Sequence, residues 1–143
     1  MLCSNRLELA HMDAPSIEEA SELLNRARTV AERAYAPYSS FRVGAIAVTD
    51  SGEQFEGANV ENAAYPTGLC AEASATGAAI TSGARRIPVM AVISLDAVGV
   101  VPCGQCRQRM VEFGVEWIVL ESEDEPEIVT LQDLLPRSFE YWE

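Results

Sequence analysis

The sequence predicts an α/β sandwich built on a mixed sheet. Three observations carry this. Helical and strand-like patterns alternate along the 143 residues. Two short apolar runs with turn signals on both sides, 89–95 and 117–120, read as strands buried on both faces. A hairpin signal, Asp50-Ser51-Gly52-Glu53, comes before them, so the sheet starts antiparallel and continues through helical crossovers of parallel sense.

The elements follow in order. Pro15-Ser16-Ile17-Glu18-Glu19 is a helix start, in which Ser16 caps and Glu19, three residues on, completes a capping box. Ile17, Ala20, Leu24, Ala27, Ala31 and Ala34 recur on one face, and the helix should stop near Tyr35, because Pro37 disfavours helical geometry at Ala36. Residues 41–48 and 54–58 are the two hairpin strands. Residues 59–68 form a polar loop. From 69 to 82 the chain is rich in Ala, Ser, Thr and Gly, small residues that let a helix lie close on a sheet, with Gly83 as its C-terminal stop. After the strand at 89–95, a loop over 96–101 delivers Pro102 and a helix with Cys106, Met110 and Phe113 on one face, ended by Gly114. The strand at 117–120, an acidic turn over 121–127 and a short last strand at 128–131 follow. Residues 134–139 close the chain as a short helix or turn.

Composition narrows the function classes. Length and an apolar share of 48% suit one domain with one core. We expect residues 1–14 to be a loose tail and 15–143 a single catalytic domain. No apolar run reaches the ~18 residues of a membrane span, and no apolar run follows Met1–Arg6 as a secretory signal requires. With free thiols, the expected compartment is the cytoplasm. Net charge is −12, and all positive side-chain charge comes from arginine, since the chain has no lysine. Such a surface repels polyphosphate, so a nucleic-acid partner is not expected.

The chemistry centres on cysteine. Cys103 and Cys106 form a C-x2-C, and Cys70 stands 33 positions before Cys103, followed by Glu72. Alone, a C-x2-C fits a redox dithiol, half of a structural zinc site or two core thiols. A closed structural site needs a fourth ligand, for which Cys3 and His11 are the candidates. Three thiolates instead hold Zn²⁺ with one tetrahedral position open to water, and a neighbouring carboxylate can carry that water's proton. Both cysteine elements fall at helix starts, where free N–H groups and partial positive charge favour thiolate.

Cys70-Ala71-Glu72 with Pro102-Cys103-Gly104-Gln105-Cys106 resembles the zinc nucleoside deaminases, in particular the small three-cysteine cytidine deaminases. Residues 37–45, Asn59-Val60-Glu61-Asn62-Ala63-Ala64-Tyr65, Cys103–Gln108 and Leu134-Leu135-Pro136 are similar to successive family motifs. The resemblance implies a three-layer α/β/α sandwich with a mixed five-stranded sheet, and one zinc ion per chain on Cys70, Cys103 and Cys106. It implies Glu72 as proton shuttle, Asn59 and Glu61 on the ribose hydroxyls, Phe41 packed on the nucleoside and the Ala71 backbone reading the base. It also implies a homotetramer in which Ala63, Tyr65 and Phe139 reach neighbouring sites. The implied reaction is hydrolytic deamination of cytidine and 2′-deoxycytidine, as in pyrimidine salvage. The rivals are deamination of a related nucleoside or nucleoside antibiotic of the blasticidin S kind, a polynucleotide editor, and a non-catalytic zinc-stabilised interaction domain.

Plainer readings exist for single residues. Glu72 suits a helix start on dipole grounds alone, Phe41 and Phe139 suit a core, and Asn59 suits a turn. One departure stands out. The family often has Arg directly after the motif glutamate, to offset thiolate charge, where this chain has Ala73. The helix ends, or Arg107, would then take over.

Overall fold

The computed structural model describes residues 12–140. Most of the expected tail, including Cys3 and His11, lies outside the described residues. Met12 is tied to the domain, its carbonyl accepting from Trp117 Nε1 at 2.9 Å.

The elements are α1 (Ile17–Ala31), β1 (Val43–Val48), β2 (Gln54–Ala58), a 3-10 turn (Tyr65–Thr67), α2 (Ala71–Thr81), β3 (Val89–Ser94), α3 (Gly104–Glu112), β4 (Trp117–Leu120), β5 (Glu127–Thr130) and α4 (Leu131–Leu134). The sheet order is β2-β1-β3-β4-β5. β1 pairs antiparallel with both β2 and β3, β3 pairs parallel with β4, and β4 pairs antiparallel with β5. Thus β2 and β3, joined through α2, run the same way with β1 between them. Strand alternation splits the core into two layers. Ile46, Val89, Ala91 and Ile93 face α1, while Ala45, Ala47, Met90 and Val92 face α2 and α3. The three-layer mixed sandwich is as expected.

The boundaries shift for identifiable reasons. The capping box at Ser16 and Glu19 is present in both directions. The helix ends at Ala31 rather than near Tyr35, because Tyr35 N–H donates to Asn59 O and Glu61 N–H to Tyr35 O, drawing that backbone into a bridge with Val60. Ile17, expected on the buried face, is 46% exposed in the first turn, and Leu23 and Val30 complete the buried stripe. β1 starts at Val43 rather than Phe41, since side chains of Asn59 and Asp96 take the backbone groups of residues 41–43. The last strand ends at Thr130, because Thr130 caps α4 with Asp133.

The helix starts divide into two kinds. α1 and α4 open on full capping boxes, whereas α2 and α3 open on Cys70 and Cys103, neither of which gives a side-chain cap.

One end of the sheet gathers the site. Val43 opposes Ser94, and Gly44 opposes Ala58, so the start of β1 and the ends of β2 and β3 lie together. The connections to α2 and α3 both leave from that end. Close helix–sheet contact fixes the geometry: a Cβ on Gly44 would sit 2.0 Å from Ala27 O, and one on Gly57 would sit 2.2 Å from Ala71 O and 2.3 Å from Ala75 N. Gly57 thus seats the first turn of α2, which bears the chemistry. Gly57→Ala should push that turn off the sheet and cost about 1–3 kcal/mol, the usual scale of overpacking. Zinc content should fall with it. Denaturant unfolding and metal analysis check this, and an unchanged midpoint would show that α2 can yield freely.

Candidate active site

The loop over 59–69 is pinned before it reaches the site. Val60 and Leu69 exchange backbone hydrogen bonds at 2.9 Å each, and Val60 also bridges to Tyr35. Clamping the loop at its base sets Cys70 to begin α2 and brings Glu61 against residues 38–39. Glu61 accepts from the N–H groups of Tyr38 and Ser39 at 2.9 and 3.2 Å, and from the Ser39 hydroxyl. The Ser39 hydroxyl and the Tyr38 N–H hold its carboxyl below the usual range, so it is an ionised acceptor at neutral pH.

Three sulfurs meet between the two helix starts. The Sγ atoms of Cys70, Cys103 and Cys106 all lie within 4.8 Å of one another, and Cys70 and Cys103 are 3.7 Å apart. Tetrahedral zinc–thiolate geometry, with Zn–S near 2.3 Å, places sulfurs roughly 3.8 Å apart, so the set fits one zinc ion. Among the described residues no fourth Cys, His or carboxylate joins the cluster; three protein ligands with a further position for water are the arrangement of catalytic zinc sites. Cys106 is buried to 1% exposure and Cys103 is exposed, so the centre lies at a cavity floor.

The thiols share charge unevenly. A hydrogen bond from Cys106 lowers the Cys70 pKa to about 6 against the effect of burial, with Cys103 and Arg109 helping. Cys106 is pushed up, because it donates to Cys70 and is itself buried. Glu72, in the first turn of α2, is 5% exposed. Burial raises its carboxyl, and the Cys70 charge adds to that, against the pull of its own backbone N–H, Cys106 and Arg109. A dication among the sulfurs acts in the opposite direction. A buried carboxyl beside the sulfur cluster is placed to take up and release a proton.

One cavity, about 660 Å³ in volume, joins these groups. Phe41, Asn59, Glu61 and Tyr65 line it together with Cys70, Ala71, Glu72 and Cys103. Asn59 already makes two backbone contacts, accepting from Val43 N–H and donating to Phe41 O, both at 2.8 Å. Its amide therefore keeps one N–H and one acceptor lone pair for any ligand. Ala63 and Phe139 do not line the cavity. Tyr65 sits at its rim, 75% exposed, edge-on to Tyr38 with ring centroids 5.8 Å apart, and Phe139 is 73% exposed. Val43, Val92 and Val101 supply an aliphatic lining, of which Val92 lies outside every motif. For Val92, strand alternation is the signal that points to it.

Arg107 does not face the sulfurs. Its Nε and Nη1 donate to Pro102 O and Leu134 O, both at 2.7 Å, tying α3 to the C-terminal segment. The guanidinium on the cluster belongs to Arg109, whose Nη1 is 3.8 Å from Cys106 Sγ.

Fold and site together define an α/β/α sandwich with a three-sulfur cluster that fits one zinc ion beside a buried carboxyl. The family model described as the cytidine and deoxycytidylate deaminase zinc-binding region matches residues 17–122. The cytidine deaminase of Mycobacterium tuberculosis H37Rv is 38% identical over 117 residues, covering 82% of this chain and 86% of that protein. That of Sporosarcina psychrophila is 34% identical over 124 residues, covering 85% and 91%. The crystal structure of cytidine deaminase from Burkholderia pseudomallei superposes with a TM-score of 0.77 at 40% identity, covering 83% of this chain and 98% of that one. This chain belongs to the cytidine and deoxycytidylate deaminase family.

Proposed function

We propose that this protein hydrolytically deaminates cytidine and 2′-deoxycytidine to the uridine products, releasing ammonia. The observation that carries the reading is the three-sulfur cluster beside a buried carboxyl in a cavity of nucleoside size. When bound, zinc supplies Lewis acidity that makes water nucleophilic near neutral pH. The chain's residues do the rest. Cys70, Cys103 and Cys106 hold the ion. Glu72 takes the proton of the attacking water and passes it to N3 of the base, then takes the second proton from the new C4 hydroxyl and gives it to the leaving amine as the C4 carbonyl forms. The Ala71 backbone reads the base edge, Phe41 packs on the nucleoside, and Asn59 and Glu61 meet the ribose.

The assay is loss of the ultraviolet cytidine signal with ammonia release, across a panel of cytidine, deoxycytidine, free cytosine and base-modified or antibiotic nucleosides. No turnover of any member by zinc-loaded protein would leave a zinc-stabilised interaction domain. Glu61→Ala should raise KM for cytidine roughly 10- to 100-fold, the scale of a hydrogen bond to a charged group, and leave the slow turnover of free cytosine alone. Equal losses on both would take Glu61 off the sugar.

We place the active form in the cytoplasm as a homotetramer in which Ala63, Tyr65 and Phe139 complete neighbouring cavities, and treat residues 15–143 as one catalytic domain. The high exposure of Tyr65 and Phe139 supports the shared site. The net charge of −12 supports a free nucleoside over a polynucleotide substrate. No helix among the described residues is long and apolar enough to cross a membrane.

A further inference from the structure

Three thiolates carry three negative charges, zinc returns two, and a buried carboxyl lies alongside. Something positive must offset the remainder, and in a chain with ten arginines and no lysine the side-chain candidates are arginines. Most of those described have other work. Arg26, Arg28, Arg33, Arg42 and Arg86 pair with carboxylates. Arg85 and Arg107 donate to backbone carbonyls. Arg109 pairs with no carboxylate among the described residues, and its Nη1 donates to Cys106 Sγ at 3.8 Å. Spacing explains the reach. Arg109 follows Cys106 by three positions, which puts both on one helix face. From α2 no side-chain cation comes, because the position after Glu72 is Ala73 and the helix holds no arginine.

We propose that Arg109 is the cation that balances the loaded three-thiolate centre: its guanidinium, hydrogen-bonded to Cys106, keeps zinc in place. This rests on the zinc reading of the site. The planar guanidinium is weakly hydrated and offers several fixed donors, so from an exposed position it can serve the buried Cys106 sulfur where an ammonium would stay with water. Because Arg109 is exposed, its contribution is open to screening by salt.

The test is competition for zinc between the loaded full-length chain and a chromophoric chelator at neutral pH, at low and high salt. Arg109→Met should weaken zinc retention roughly tenfold at low salt, the scale of one charge-assisted hydrogen bond, and less at high salt. Arg109→Lys should recover part of the loss, and Arg107→Met should retain zinc like the parent. Retention by Arg109→Met equal to the parent at both salts overturns the proposal and leaves the two helix N-termini as the source of balance. A loss that ignores salt and is unrepaired by lysine also overturns it, since that is lost packing. A salt-dependent loss in Arg107→Met alone transfers the role to Arg107. If the parent chain binds no zinc, the zinc reading itself falls, and this proposal with it.

Discussion

Glu72→Gln is expected to keep the fold and about one zinc per chain while losing most turnover. Gln has the same shape and can still hydrogen-bond in the buried pocket, but it cannot accept and return a proton. General acid–base groups contribute ~10²–10⁴-fold, and a group that twice accepts and twice returns a proton should lie at or beyond the upper end. The measurement is the rate of cytidine loss per zinc-loaded site, with metal content determined on the same sample. Turnover within a few-fold of the parent would reduce Glu72 to a residue that merely suits the positive end of α2.

The second large effect concerns the sulfurs. Cys103→Ala and Cys106→Ala should each strip the site of zinc and of activity, since two thiolates cannot hold the ion in a stable tetrahedral set. The pair also separates metal binding from packing. Cys106 is buried among the residues packed between α3 and the sheet, whereas Cys103 is exposed. In chelator, therefore, Cys106→Ala should melt below the parent and Cys103→Ala close to it. Metal analysis and thermal unfolding read both. A variant that retains stoichiometric zinc and full activity would remove that cysteine from the ligand set.

Much of the fold and of the site is legible in the chain itself. The two cysteine elements declare themselves because three thiols and a carboxylate at these spacings have few other uses, and both fall where the pattern begins a helix. Ser16 and Glu19 mark the start of α1 by local chemistry alone. What stays hidden depends on non-local contacts. Nothing near Tyr35 in sequence announces its bridge to Val60, so periodicity and Pro37 carry α1 too far. The anchoring of Asn59 to Phe41 and Val43 spans up to 18 positions and has no local sign. The choice between Arg107 and Arg109 is open to helical geometry. A residue one position after Cys106 is turned about 100° from it, whereas one three positions on returns nearly to the same face. Proximity in sequence favours Arg107, whose guanidinium instead donates to Pro102 O and Leu134 O. Ala63 and Phe139 lie outside the cavity of their own chain, whereas Tyr65 lines its rim, and nothing in the local sequence separates the two placements.

The contrast among the helix starts has a consequence for selection. Serine or aspartate at an N-cap typically stabilises a helix by about 0.5–2 kcal/mol over a residue that gives no cap. α1 and α4 collect that stabilisation, while α2 and α3 place a cysteine there and leave it uncollected. The two positions where the scaffold could most simply become hardier are thus two of the three that carry the sulfur cluster. A screen that rewards heat resistance alone would drift toward serine or aspartate at 70 and 103, and would report improvement as it erased the enzyme. Thermostabilising this chain therefore calls for a catalytic readout in every round, or for freezing those two positions from the outset.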